Sequence, residues 1–298
     1  MKINDRHHHA AFLARQKRYE RKYAVEALAL LARQYRRYAD SLERGAPQPI
    51  KASEYSGLLT ALYDDIMPVE AAKAWDTFVA PLTAGADSPE AKSFLDRLMS
   101  SLSGSSPTLA EWVRIWRSAA RDFVNVVLVP RMHAMAVTTN NVLNRIIREE
   151  TAEGTSIDKI AGRIREEATG PVNVNRSMLI ARTETIAAMN RGKRLSMYSS
   201  GMEWEKKWLA TPDKRTRDSH ADIGDQPYRH MDAPYWLVNN EGSLEEGMYP
   251  GDPDFSVENV ANCRCTETYR VIRDSSGAPK LRDAEDEERF AQIVANII

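Results

Sequence analysis

Both cysteines of this chain lie in one short segment, ANCRCTETY, with a single arginine between them. If the segment is extended, Cys263 and Cys265 fall on the same face. Two neighbouring thiols suit a zinc site, a redox couple or a packed, hydrogen-bonded turn. With His220, and His230 or an aspartate as the fourth ligand, they would complete a tetrahedral zinc site. Because the segment lacks the C-x2-C pairs of zinc modules, we expect a packed turn and no metal or other cofactor, with zinc as the alternative.

The densest polar segment is ATPDKRTRDSHADIGDQP. Thr211 followed by Pro212 predicts that a helix begins here, with proline at its first position. Asp213, Arg217 and His220 would then share one helix face. Such a face could serve a metal-dependent hydrolase, for example a nuclease, with the metal at the cysteines. It could equally be an internal salt bridge that fixes a loop, and the chain has no H-E-x-x-H motif or P-loop to favour hydrolysis.

A long helix is predicted over residues 10–42, which contain no glycine or proline. Its apolar face recurs at every fourth position, at Tyr19, Tyr23, Ala27, Leu31 and Tyr35. The basic side chains that could contact DNA are Arg15, Arg18, Arg21, Lys22, Arg33, Arg36 and Arg37. A solvated face, a phosphate-binding face and a docking face for an acidic protein all remain open. We expect the preceding histidines, His7 to His9, to be solvated.

Further helices are predicted over residues 53–79, 89–102, 109–150 and 175–200, with a Ser/Gly linker at 101–108 and a break at Pro130. A short helix should begin after Thr155, with Asp158 as the reciprocal acid, and end at Gly170. Beyond residue 201 the helical periodicity ends and an alternating pattern of side chains typical of a strand begins. Trp204, Lys206 and Trp208 should therefore share one strand face. A second strand is predicted from residue 265. The tail has an apolar helical stripe, at Phe290, Ile293, Val294 and Ile297.

These patterns predict an α+β protein with a mainly helical N-terminal region and a small α+β C-terminal domain. We expect a helical region at 1–173 for docking, a second domain at 174–272, and a linker with an amphipathic helix at 273–298. The 41 basic and 42 acidic residues exclude a globally basic nucleic-acid coat. No apolar run approaches the roughly 20 residues that a membrane span needs, and no secretory signal is expected. Two cysteines in a long chain favour a reducing compartment.

Four segments occur in the order IARTET, KKWLATPDKRTRDSHADI, YPGDP and NCRC. Together they resemble the phage head morphogenesis domain, the Mu F-like minor head protein family of tailed bacteriophages. The resemblance covers about residues 175–268, and ADIGDQ departs from a leucine and DG that often follow the histidine. The motif positions carried over are Arg182, Thr183, Glu184, Asn190, Trp208, Asp213, Arg215, Arg217, His220, Pro250, Gly251, Asp252, Asn262, Cys263, Arg264 and Cys265.

The resemblance implies a minor capsid protein that acts in head assembly and in DNA packaging or delivery. Such a protein would lie at the portal vertex and head interior of the virion, and in the host cytoplasm during assembly. Its expected partner is the portal protein, with a major capsid or scaffold protein and packaged DNA as further candidates and no membrane. The motif residues would then hold irregular loops in place, and the chain would not be an enzyme. The metal-dependent hydrolase is the alternative.

Overall fold

The computed structural model describes residues 5–83 and 108–282, with side chains from His8 onward. The predicted helix at 89–102 and the apolar stripe of the tail therefore lie outside the described residues, as does nearly all of the predicted Ser/Gly linker. In the described part the chain is mainly helical up to Ser199 and then forms short strands, loops and two short helices. This arrangement confirms the predicted α+β class.

The described residues up to Ser199 are mainly helical, as predicted. Helix α1 is Asp5–Glu43, α2 is Ser56–Ala74 after a 3-10 turn at Ala52–Tyr55, and a π-helical turn at Trp75–Val79 leads to α3, Ala80–Thr83. Helix α4 is Leu109–Asp122, and a π-helical turn at Phe123–Val127 separates it from α5, Val129–Ala152. Thr108 caps α4 by accepting the backbone N–H of Glu111. The break before α5 lies next to Pro130, at the predicted interruption.

The next helix, α6, is Ile157–Glu167, and it starts one residue later than an N-cap at Thr155 would place it. Ser156, and not Thr155, is the N-cap residue, and it makes no side-chain cap bond. Thr155 belongs instead to the end of α5, because its N–H donates to Glu150 O at 3.0 Å beyond a left-handed Gly154 (φ 72°). The predicted Thr155 cap is therefore wrong. The stop at Gly170 is confirmed, since Pro171 opens the following helix.

Helix α7, Pro171–Ser199, is the central element of the fold. Helices α1 and α2 pack along it, and nearly every residue from Ile180 to Ser199 is buried. A helix that is buried all round must satisfy its polar side chains internally. Trp116 of α4 illustrates this, because its indole N–H donates to Ser199 Oγ at 2.9 Å.

Two small antiparallel sheets follow α7. In the first, β1 (Trp204–Leu209) lies between β2 (Arg229–His230) and β5 (Thr266–Val271); in the second, β3 (Tyr235–Val238) pairs with β4 (Leu244–Gly247). Short helices α8 (Asp218–Asp225) and α9 (Val257–Val260) lie in the connections. Trp204, Lys206 and Trp208 all lie on the buried face of β1, as their alternation predicts.

One buried apolar cluster runs from the N-terminal helices through α7 to the sheet. It includes Phe12 of α1, Ala187 of α7 and Trp208 of β1. The domain boundaries predicted at 173/174 and 272/273 stay predictions, and the core is continuous across the first of them. None of the helices within 5–83 and 108–282 has the length and apolar character of a membrane span.

The predicted solvation of the histidine run is wrong for the two members whose side chains are described. His8 packs edge-to-face on Phe78, with ring centroids 5.3 Å apart, and its Nε2 lies 3.2 Å from Lys193 Nζ. His9 is 8% exposed. Burial, followed by the charge of Lys193, lowers the pKa of His8 to about 3. The first turns of α1 are thus part of the core.

Candidate functional site

The polar segment after β1 forms a turn and not the predicted start of a helix. Helix α8 begins at Asp218, with Arg217 as its N-cap residue. The Asp213 carboxylate accepts hydrogen bonds from both terminal nitrogens of Arg264, which hold its pKa well below the usual range. Arg217 Nη2 donates to Ala261 O at 2.8 Å. The predicted Asp213–Arg217 pair therefore does not form, because Asp213 has a partner 51 positions away and Arg217 has one 44 positions away.

The segment that precedes the cysteines is bonded to α7. Arg182 Nη1 donates to Asn262 Oδ1 at 2.7 Å, and the backbone N–H of Asn262 donates to Thr183 Oγ1 at 3.3 Å. Asn262 is left-handed, with φ 56°, a conformation that asparagine adopts more readily than most side chains. Arg182 also lies 3.4 Å from Glu20 of α1. These contacts fix the loop at one point on the central helix.

A second loop, around residue 250, is attached to the same helix two turns further on. Asn190 Nδ2 donates to Pro250 O at 2.9 Å and to Cys265 O at 3.1 Å. Gly251 has φ 91°, and a Cβ atom there would lie 3.0 Å from the backbone of Ala187, so glycine is needed for conformation and for space. Asp252 accepts the N–H of Met248 at 2.7 Å and stabilises the turn.

Glu184 has different partners from those expected. Arg182 bonds to the loop residue Asn262, whereas the partners of Glu184 are on helices. The buried Glu184 carboxylate accepts the Tyr63 hydroxyl of α2 at 2.9 Å and lies 3.3 Å from Arg131 of α5. It therefore joins three helices of the core rather than forming a site with the loop.

The two cysteines and His220 converge in a buried cluster. His220 Nδ1 lies 3.7 Å from Cys263 Sγ and 3.6 Å from Cys265 Sγ, and the ring packs edge-to-face on Trp208 at 5.2 Å. The two cysteines do point to the same place, as predicted. The predicted reason, a shared strand face, is wrong, because both cysteines precede β5 and are not strand residues. His230, the predicted fourth ligand, is exposed and lies 3.7 Å from Asp232.

The two sulfurs differ in acidity. The hydrogen bond between them raises the pKa of Cys263 and lowers that of Cys265, which His220 also lowers. A second contact supports the Cys263 sulfur, because the backbone N–H of Cys265 donates to it at 3.4 Å. All three side chains are nearly inaccessible to solvent, at 1% for His220, 3% for Cys263 and 2% for Cys265.

Comparison with known proteins shows what this part of the chain is similar to. Residues 140–268 match the model of the family described as Phage Mu protein F like protein. These residues form a Mu F-like segment of the chain. The match contains α7, both loops and the cysteine cluster, which agrees with the resemblance of the four sequence segments.

Two curated relatives extend the comparison. The uncharacterized protein YqbB of Bacillus subtilis (strain 168) is 24% identical over 188 residues, which is 62% of this chain and 55% of YqbB. The NAD(+)–arginine ADP-ribosyltransferase EFV of Enterococcus faecalis (strain ATCC 700802 / V583) is 29% identical over 159 residues, 52% of this chain and 29% of that protein. The chain thus spans about half of one relative and less than a third of the other. No solved structure matches.

Within the Mu F-like domain the structure also shows buried charges that sequence reasoning missed. Lys193 is 1% exposed and donates to Thr266 Oγ1 at 2.8 Å, and Lys206 is 0% exposed and donates to Met248 O at 2.7 Å. The buried Glu267 carboxylate accepts the Tyr269 hydroxyl at 2.7 Å and lies 4.0 Å from Arg194. For Lys206 a signal existed, because it alternates with two tryptophans. The run RGKRL, with Lys193 and Arg194, resembles a solvated face and gives no such signal.

The basic face of α1 lies outside the Mu F-like match and is only partly available to a partner. Three of its seven predicted DNA contacts are in ion pairs: Arg15 with Glu70, Lys22 with Asp65 and Arg37 with Glu54. The other four are exposed and have no ion-pair partner among the described residues: Arg18, Arg21, Arg33 and Arg36. The tyrosines at 23 and 35 are buried and cannot stack on bases.

Proposed function

We propose that this chain is a minor head protein that acts at the portal vertex and head interior, in head assembly and in DNA packaging or delivery. One observation carries the structural part of the proposal. Apart from Glu184, the polar motif residues of the Mu F-like domain bond to one another or to the backbone, so that they hold two loops on α7. The side chain of Asn190, for example, bonds to three residues, Pro250, Cys265 and Thr266. Side chains engaged in this way stabilise a fold.

The hydrolase alternative has little support in the geometry. A hydrolase of this kind requires Asp213 beside His220 and a metal. Asp213 instead pairs with Arg264. Among the described residues, the cluster that could bind a metal contains His220 and the two cysteines but not Asp213. A hydrolytic metal also needs an open site for water and substrate, whereas the cluster is buried. The activity named for the Enterococcus relative is not carried over, because the match covers 29% of that protein.

An apolar groove is the surface that we propose for a portal or capsid subunit. It has a volume of about 440 Å³ and lies between α5, α7 and the loop 253–261. Its apolar walls include Pro130, Leu179 and Phe255. Two exposed valines also line it, Val257 at 74% and Val127 at 40%. A groove of this kind fits the apolar face of a partner helix.

Purified phage particles test the proposal. We expect mass spectrometry to find this chain in the particle in far fewer copies than the major capsid protein. A reconstruction without imposed icosahedral symmetry should place it at the portal vertex, with a helix of a neighbouring subunit in the groove. Its absence from heads at every assembly stage would refute the proposal, and density at the vertex with the groove open to solvent would refute the docking surface.

DNA contact is proposed for the four arginines of α1 that have no ion-pair partner among the described residues. Arg18 and Arg36 are 18 positions apart, which is five turns of an α-helix, so they lie on the same line along its surface about 27 Å apart. Arg21 and Arg33 lie within a sixth of a turn of that line. Along this line the four exposed guanidinium groups form two pairs about 18 Å apart, and the two pairs can contact phosphates at two places on one duplex.

Glutamine at all four positions should weaken DNA binding. Each lost phosphate contact should reduce the slope of log K against log salt by about 0.9, measured by fluorescence anisotropy with a mixed-sequence duplex. Deleting residues 1–44 is no substitute test, because Phe12 and Tyr35 of α1 are fully buried. The matched control replaces four exposed basic residues elsewhere, Arg114, Arg148, Lys159 and Lys214. Equal slopes for the two quadruple variants would contradict the proposed contact.

A further inference from the structure

The geometry points to a zinc site formed by His220, Cys263 and Cys265. The Nδ1 and Sγ atoms of these residues all lie within 4.8 Å of one another. In tetrahedral zinc, Zn–S bonds of about 2.3 Å and Zn–N bonds of about 2.0–2.1 Å separate neighbouring S and N ligands by about 3.5 Å. The two N–S distances, 3.6 and 3.7 Å, are close to that edge. The ligand atoms are thus already almost at coordination distance.

The surroundings suit a soft divalent cation. Thiolate and imidazole ligands together select zinc over magnesium or calcium, which prefer oxygen. The backbone N–H of Cys265, directed at Cys263 Sγ, supports a thiolate charge there. Two thiolates buried together would repel each other, and a divalent ion removes that cost. Since the cluster of described residues supplies three ligands, a water molecule would take the fourth position.

The consequence of zinc binding would be structural. His220 belongs to α8 and the cysteines lead into β5, so the ion would join segments 43 and 45 residues apart in sequence. The three ligand side chains are at most 3% exposed and His220 packs on Trp208, an enclosure typical of a structural zinc site rather than a catalytic one. This inference is independent of the proposed role in the phage head, because it concerns how the C-terminal loops are held.

Cobalt substitution tests the site directly. The full chain is purified under reducing conditions, stripped with a chelator and titrated with Co²⁺. We expect one equivalent to produce the near-ultraviolet charge-transfer band of cobalt–thiolate bonds together with strong visible bands of tetrahedral cobalt, and Zn²⁺ to remove both. Elemental analysis of the protein as purified should find one zinc per chain. A raised melting temperature of the zinc-loaded protein over the stripped protein is the second readout.

Variants separate this site from other metal-binding groups. Cys263→Ser and Cys265→Ser should each lose at least half of the charge-transfer intensity, because each removes one of the two thiolates, whereas His230→Gln, at an exposed histidine, should keep all of it. Near-ultraviolet circular dichroism shows whether each variant is folded. The wild-type titration decides the question even if the cysteine variants do not fold. A stripped, folded wild type without a thiolate band would overturn the inference. So would a band of undiminished intensity in both cysteine variants, or a Cys263–Cys265 disulfide in the reduced preparation.

Discussion

Replacement of Gly192 by alanine is expected to destabilise the protein by roughly 3 kcal/mol or more, close to the upper range for overpacked cores. Gly192 lies in α7 where α2 crosses it. A Cβ atom at this position would stand 2.4 Å from the carbonyl oxygen of Met67 and 3.1 Å from its Cα and carbonyl carbon. These are backbone atoms inside a helix, so no side-chain rotation can relieve the overlap. Urea denaturation measures the loss.

Gly162→Ala is the matched control, because the same substitution there meets free space. Gly162 lies inside α6, and a Cβ atom added to it would have no atom within 4 Å beyond the backbone of its own helix. Alanine should stabilise this helix by about 0.5–1 kcal/mol, since it lowers the conformational entropy of the unfolded chain. The two variants should therefore move the urea midpoint in opposite directions. If Gly192→Ala left the midpoint unchanged, the close approach of α2 and α7 would be wrong.

Helices and the first strand could be predicted because local patterns specify them. The four-residue recurrence from Tyr19 to Tyr35 marks the face of α1 that packs in the core, and Tyr23, Leu31 and Tyr35 are indeed buried. Alternation around Lys206 marks the buried face of β1 in the same way. In each case the period of burial follows from backbone geometry and needs no knowledge of the partner.

The candidate site was harder to predict, because its contacts connect distant segments. The sequence favours a helix start at Thr211 and Pro212, yet Arg264, 51 positions from Asp213, holds that aspartate in a turn. The histidine run was predicted to be solvated, but Phe78 and Lys193 cover His8. Ordered motif segments did identify most residues of the two loops. What they do not show is which segment each residue bonds to, and that depends on the tertiary fold.

Two buried lysines give the protein an unusual dependence of stability on pH. Burial is the main cause that lowers the pKa of Lys206 to about 6 and that of Lys193 to about 7. Arg194 and Arg229 lower the pKa of Lys206 further, and Glu267 and Asp252 oppose them. Near Lys193, Arg15 lowers the pKa, and Glu267 and Glu70 oppose it. Both amines are therefore largely neutral in the folded protein at slightly alkaline pH.

The free energy of unfolding is expected to rise between about pH 7 and pH 9. Over this range the unfolded chain keeps a proton on each lysine, whose ordinary pKa is about 10.4, and the folded chain does not. Because the unfolded state binds more protons, stability increases with pH, by up to about 1.4 kcal/mol per pH unit for each lysine. Above about pH 10 the trend should reverse, because buried tyrosines such as Tyr269 have raised pKa values. Urea titrations at several pH values measure the slope.

The Lys206→Met variant shows how much of the rise of stability with pH is due to Lys206. Methionine fills a similar volume without a proton to lose, so the variant should keep only the part of the slope that Lys193 supplies. At pH 7 it should be at least as stable as the wild type, because the cost of burying an amine outweighs the single hydrogen bond to Met248 O. Lys207→Met, one position along β1 and less buried, is the control and should leave the slope unchanged. A wild-type stability that is flat or falling from pH 7 to 9 would show that Lys206 and Lys193 stay charged in the fold, with their positive charge balanced by Glu267 and the ring faces of Tyr235 and Tyr269.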